Sequence, residues 1–204
     1  MRLRLRTRTG FTLIEALVAI SIMALAGSVL LLAAQTSLDA TDDAAKQAIA
    51  QGICEQVLDE IMSKRYMEAG SAYNQNKLAK EADETTRLLF DDSDDFNGFS
   101  AQPITNVYGQ TLGTGNDAGG TRHANFRVDS GFFAKWRLRV DSYYVSSTDL
   151  SLRLDNPPLA AGGVLATTSG YKCAEVTVEY QDPDGTYRTL AKGRRVYAYI
   201  PPPT

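Results

Sequence analysis

Between Phe11 and Ala34 the chain runs for 24 residues with one charged side chain, Glu15, and this segment limits what the rest can be. As a helix rising ~1.5 Å per residue it is about 36 Å long, enough to cross a ~30 Å hydrocarbon layer. Four arginines precede it, Arg2, Arg4, Arg6 and Arg8, in a ten-residue stretch without an acid. A basic flank keeps that end of a span in the cytoplasm and sends the residues after the span across the membrane. The formal charge of the 204 residues is −3, so removing the arginine stretch leaves −7. An acidic body argues against a phosphate-binding surface, and hence against nucleic acid as a partner.

Three kinds of segment share this outline. A secretory signal peptide fits the basic start, with Ala24-Leu25-Ala26 as a small-x-small cleavage site before Gly27. A plain signal anchor fits the length. Neither accounts for Glu15, because an ionisable group inside a span costs roughly 2.5 kcal/mol or more unless it is paired.

The third outline accounts for it. Gly10-Phe11-Thr12-Leu13-Ile14-Glu15 resembles the cleavage and methylation motif G-F-T-L-x-E of type IV prepilins and type II secretion pseudopilins. The resemblance implies that a prepilin peptidase cuts after Gly10 and that Phe11 becomes an N-methylated first residue. Glu15 is then the fifth residue of the mature chain, placed to pair with the Phe11 ammonium of its own or a neighbouring subunit. Such a pair neutralises two charges that are each costly in an apolar filament core. The partners implied are other pilin or pseudopilin subunits, the peptidase and an inner-membrane assembly platform. The location implied is the inner membrane, single-pass, with the body in the periplasm or in an extracellular filament.

Beyond Gln35 the pattern turns amphipathic without a proline before Pro103. Ala45, Ile49, Ile53, Val57 and Ile61 recur every four residues, and Cys54, Leu58 and Met62 widen the stripe. Asp39, Asp42, Asp43, Lys46, Glu55, Asp59 and Glu60 mostly take the other side. The periodicity predicts one helix from Phe11 to about Lys64. Gly27 and Gly52 weaken it by roughly 1 kcal/mol each relative to alanine without ending it.

After Tyr66 the character changes. Lys77 to Leu89 could form a short helix, Asp91 to Ser100 reads as a solvated acidic loop, and Gly109 to Gly120 as a loop. Alternation predicts strands at Phe126–Val128, Trp136–Val140, Leu150–Leu154 and Ala174–Tyr180. Asp182-Pro183-Asp184-Gly185 is a hairpin turn leading into Tyr187–Ala191, and Arg195–Ile200 is a last strand before the prolines. The expected fold is therefore α+β: a long N-terminal helix packed on a C-terminal antiparallel sheet, the pilin architecture. Its parts are a leader at 1–10, an embedded helix at 11–34, its amphipathic continuation at 35–65 and a head at 66–204.

No catalytic constellation emerges, and the chain reads as a structural subunit rather than an enzyme. His123 is the single histidine, without a nucleophile motif to serve. No phosphate-cradling glycine loop is present, so the chain is not the ATPase of such a system. Asp91, Asp92, Asp94 and Asp95 are weak candidates for calcium. Aligned on EF-hand spacing they leave Ile104 where the bidentate glutamate belongs, so only a site of another kind stays open. No other cofactor is implied. Trp136 and the ten tyrosines are either core or a partner surface, and strand alternation favours core. Cys54 and Cys173 either close a disulfide across an exported body or stay as two separate buried thiols, the simpler state.

Leu89 to Gly98 also resembles the FDD-x-DDFNG stretch of minor pilins of the mannose-sensitive haemagglutinin type and related secretion pseudopilins. Leu32 stands where many major pilins carry a kink-forming proline. Both features favour a minor pilin or minor pseudopilin. The alternative from another class is a Sec-exported or signal-anchored binding protein that forms no filament.

Overall fold

A computed structural model describes residues 12–114, 116–117, 120–121, 123, 125, 127–129, 131–155 and 163–201. Residues 1–11, with the leader, Gly10 and Phe11, lie outside the described residues. The chain divides into two compact units, one ending at Ala45 and the other starting at Lys46.

Helix α1 spans Leu13–Met62. In the first unit its apolar side chains are uncovered on all sides: Leu13, Ile14, Ile20, Met23, Leu25, Leu30 and Leu31 are each 65–80% exposed. A segment that finds no protein partner for this much apolar surface needs lipid or other helices around it. Four of the hydroxyls within it, those of Ser21, Ser28, Thr36 and Thr41, turn onto the helix itself. Ser21 Oγ donates to the Leu17 carbonyl at 2.8 Å, Ser28 Oγ to Leu25 at 2.8 Å and Thr36 Oγ1 to Leu32 at 2.9 Å. Turning each hydroxyl onto the backbone removes an unpaired donor from the apolar medium.

In the second unit the last turns of α1 bury Ala50, Ile53, Cys54, Val57, Leu58 and Ile61. They pack on a four-stranded antiparallel sheet of order β1-β4-β5-β6: β1 Ser100–Ala101, β4 Trp136–Tyr144, β5 Tyr171–Gln181 and β6 Tyr187–Ala198. A separate pair, β2 Asn116–Asp117 and β3 Gly120–Thr121, forms inside the region expected to be loop. Pleat parity sets the core. Trp136, Leu138 and Val140 of β4 and Ala174, Val176 and Val178 of β5 point to the helix side. Between β5 and β6 the register slips, with Val178 opposite Ala191 and Glu179 opposite Thr189. The extra residue is Leu190, so both Leu190 and Ala191 are buried. At Gly193 a β-carbon would stand 2.7 Å from Leu58 Cδ1 and 3.5 Å from Cys54 Cβ, so the helix can approach β6 only where a side chain is missing.

Several expectations change here. Ala45 and Ile49 are exposed, because a strict four-residue repeat drifts about 40° per step around a helix of 3.6 residues per turn. Lys77–Leu89 is a series of turns and bends rather than a helix. Leu150–Leu154 is a turn held by Asp149, whose Oδ1 accepts from the Ser151 N–H at 2.9 Å and whose carbonyl accepts from Leu152 at 2.9 Å. Arg153 alone bridges there, to Val145. Phe126 lies outside the described residues, and Val128 is not in a strand. The two return segments are one strand, β6, of twelve residues. The turn before it forms as expected, with Gly185 at φ 87° and its N–H donating to the Asp182 carbonyl at 2.9 Å.

Candidate functional site

Two places carry charge where apolar burial would predict none. The first is the start of α1. Thr12 is its N-cap: the Thr12 N–H donates to Glu15 Oε2 at 2.9 Å, Thr12 Oγ1 donates to the same oxygen at 2.7 Å, and the Glu15 N–H donates to Thr12 Oγ1 at 3.3 Å. This is a capping box, in which the side chains at the N-cap and third helical positions satisfy each other's backbone donors. Thr-x-x-Glu before an apolar run is the sequence signal for it, and it gives Glu15 a local role in addition to the one the motif implies. The carboxylate also lies at the positive end of the helix dipole. Glu15 therefore starts the helix and presents a charge one turn inside an exposed apolar surface.

The second place is the acidic loop. It is not solvated as expected: Asp92, Asp94 and Asp95 are each 1% exposed. Phe90 and Phe96 flank them as core anchors, their rings edge to face at 5.1 Å, and they draw the aspartates in between. Asp92 and Asp95 each turn one carboxylate oxygen onto the local backbone. Asp92 Oδ1 accepts from the Asp94 N–H at 2.6 Å, and Asp95 Oδ2 accepts from the N–H groups of Asp91 and Asp92 at 2.9 and 3.0 Å. Asp94 meets Lys172, whose Nζ lies 2.7 and 2.8 Å from its two oxygens and donates also to the Tyr66 carbonyl at 2.7 Å. Lys172 is fully buried, since β5 parity puts it on the same face as Ala174 and Val176, where the loop covers it. Asn97 completes the tie, donating to the Leu78 carbonyl at 2.9 Å and accepting from the Ser142 N–H at 3.2 Å. Gly98 takes φ 76° and its N–H reaches the Val140 carbonyl at 3.1 Å. The FDD-x-DDFNG stretch is thus a self-capped plug that docks on β4 and β5.

Burial pushes the Asp92 carboxyl up to about 6, with the Asp94 charge adding to the effect. Burial likewise raises Asp94 and lowers Lys172, each opposed by the other's charge. Both oxygens of Asp94 are engaged by Lys172. Two acids the sequence did not single out, Glu81 and Glu84, stand against Asp95 instead, with one oxygen of each of the three within 4.8 Å of the others. Glu68, Asp91 and Asp92 form a second group with the same spacing. Desolvation raises Glu81 to about 7 and Asp95 to about 8, and contact with the Glu84 carboxylate adds to both.

The remaining candidates fall elsewhere. Cys54 and Cys173 are both free and buried. Cys54 sits between α1 and the inner face of the sheet, 3.6 Å from the Val176 carbonyl oxygen. Cys173 has odd parity on β5 and packs with Tyr143 and Val145 on the opposite face, so the long-loop disulfide is not formed. Trp136 is fully buried against Phe132, Phe133 and Tyr180, which makes it core rather than a partner surface. His123 is exposed, and its Nδ1 accepts from the Asn125 N–H at 3.2 Å.

Compared with known proteins, residues 5–31 match the family model of the prokaryotic N-terminal methylation motif. No curated protein and no solved structure matches the chain.

Proposed function

We propose that this chain, a type IV pilin-like protein by its N-terminal methylation motif, is a minor subunit of a type IV pilus or of a type II secretion pseudopilus. The motif carries processing by a prepilin peptidase and assembly with other pilin-like subunits. The finer reading rests on individual residues. The leader arginines hold the precursor with its N-terminus in the cytoplasm and its head in the periplasm. Cleavage between Gly10 and Phe11 frees an ammonium, which is methylated, and residues 11–34 keep the subunit in the inner membrane as a single span. The assembly platform then lifts the helix from lipid into a bundle of like helices. Glu15 sets the register there by accepting the Phe11 ammonium of a neighbour.

The observation that supports this best is Glu15 itself, a helix-capping carboxylate at the start of an apolar segment whose side chains are exposed. Apolar surface of that extent packs equally well in lipid or among other helices, so it suits a subunit that must exist in both. The minor role rests on Leu32, where α1 runs on without a proline, and on the resemblance of the acidic plug. No side chain in this reading performs catalysis.

The N-terminal residue and mass of the chain isolated from its native membrane test the proposal. The expected product begins at Phe11 and is heavier by one methyl group than the unmodified sequence. A chain beginning at Gly27 is the product of signal peptidase, and one retaining Met1 is a signal anchor. Either result replaces the filament subunit with an exported or anchored binding protein.

A further inference from the structure

The plug meets the segment that follows α1 along a short parallel contact between Arg65 and Asp92. The Ser93 N–H donates to the Arg65 carbonyl at 2.9 Å, the Arg65 N–H to the Asp91 carbonyl at 3.3 Å, and Ser93 Oγ to the Tyr66 carbonyl at 3.0 Å. Asp92 lies within this contact and is 1% exposed. Its Oδ1 accepts from the Asp94 N–H at 2.6 Å, while its Oδ2 is buried and has no partner.

The charges around Asp92 do not balance. From its own segment it faces Asp91, Asp94 and Asp95, the last of which meets the Glu84 carboxylate. Glu68, from the segment after α1, places an oxygen within 4.8 Å of oxygens of Asp91 and Asp92. Two cations stand near among the described residues, and both are engaged elsewhere. Arg65 pairs with Asp91, and Lys172 of β5 pairs with both oxygens of Asp94 and donates to the Tyr66 carbonyl. The nearby phenols, Tyr66 and Tyr144 of β4, are held protonated by burial and bring no charge. An ionised Asp92 is therefore a buried charge without a counter-ion, and such a group takes up a proton instead.

We propose that Asp92 is a proton-operated latch, which when neutral holds the plug against the segment after α1 and when ionised loosens that contact. Protonation removes the unpaired charge and leaves Oδ1 on the Asp94 N–H, so the contact keeps its bonds. Ionisation favours any opening that lets water reach Oδ2. Burial first, and the Asp94 charge second, bring the carboxyl up to about 6, whereas in the unfolded chain it ionises near 3.9. Between these values the folded state holds the extra proton. The stability that Asp92 contributes is therefore complete below about pH 4 and is lost as pH rises through about 6. Acidic surroundings tighten the head, and neutral ones leave the plug easier to open. The latch makes no demand on the filament reading and stands or falls separately from it.

The test uses the full-length chain in detergent with EGTA, so that no metal ion stands in for the proton. The side-chain carboxyl ¹³C resonance of Asp92, followed by NMR from pH 4 to pH 8, should titrate with a midpoint near 6. A midpoint at the ordinary value of about 4 overturns the proposal on the wild type alone, whether or not a variant folds. Asp92→Asn keeps an oxygen for the Asp94 N–H and cannot ionise. Relative to wild type it should gain about 3–6 °C in melting temperature between pH 4.5 and pH 8. Amide exchange at Ser93 and Asp94 should be severalfold faster in wild type than in Asp92→Asn at pH 8, and equal in the two at pH 4.5. A melting difference and an exchange ratio that do not change with pH overturn the latch, because the plug then does not respond to the charge.

Discussion

Lys172 gives up water entirely for the two oxygens of Asp94 and the carbonyl of Tyr66, with the Tyr66 ring 4.2 Å from its ammonium. A pair this deep gains little over an apolar pair of equal volume, yet losing one member strands the other charge. Lys172→Met should therefore cost about 3–5 kcal/mol in the thermal unfolding of the full chain. Asp94→Asn combined with Lys172→Met should recover part of that loss, because no ion is left buried. If Lys172→Met unfolds at the wild-type temperature, the pair is not closed in solution. Nothing in the sequence could show this contact. Asp94 and Lys172 are 78 residues apart, and a run of aspartates reads as solvated until the strand that carries its counter-ion is placed. Phe90 and Phe96 at the two ends of the run were the available sign that it turns inward.

Helix α1 was readable because its periodicity is local. Its length, its apolar start and the buried set Ile53, Cys54, Val57, Leu58 and Ile61 all come from side-chain spacing. The strands with strict alternation and β-branched residues, β4 and β5, were readable for the same reason. What failed was alternation without a partner: Leu150–Leu154 has the pattern, but Leu150 and Leu152 are 44% and 51% exposed and a side-chain cap at Asp149 takes the backbone instead. The split reading of β6 failed at Gly193, where a residue that looks like a break is the close contact with Leu58. These differences predict unequal costs along one helix. Leu58→Ala, at a position 1% exposed, should destabilise by about 2–5 kcal/mol. Ile49→Ala, at 37% exposed, should fall within about 1 kcal/mol of wild type, since little transfer energy and no cavity are involved. Equal losses in chemical denaturation would mean that Ile49 is covered, as it would be if the core stripe began at Ala45.

The two units of the chain answer to different surroundings. From Lys46 onward, the chain buries an apolar core and pairs most of its buried charge within itself. Up to Ala45 its apolar surface has no cover of its own. Glu15 is the one charge in the apolar run, and its capping bonds and its role in assembly can be separated by substitution. Thr12→Ala removes the N-cap hydroxyl but leaves the carboxylate, at a cost of about 1 kcal/mol to the helix start. Glu15→Val removes the carboxylate and its two bonds from Thr12 but leaves the hydroxyl that caps the residue-15 N–H. If the charge is held in the chain only to start the helix, the two variants should behave alike. If it also accepts an ammonium from a neighbouring subunit, only Glu15→Val should lose assembly. The expected outcome is normal membrane insertion for both, with the Glu15→Val chain at least about tenfold depleted from sheared filaments, a loss of about 1.4 kcal/mol per subunit contact. The Thr12→Ala chain should stay within severalfold of wild type. An exported binding protein behaves the other way: with the only charge gone from its apolar segment, Glu15→Val should insert and be exported as well as or better than wild type, and no sheared fraction should contain either variant.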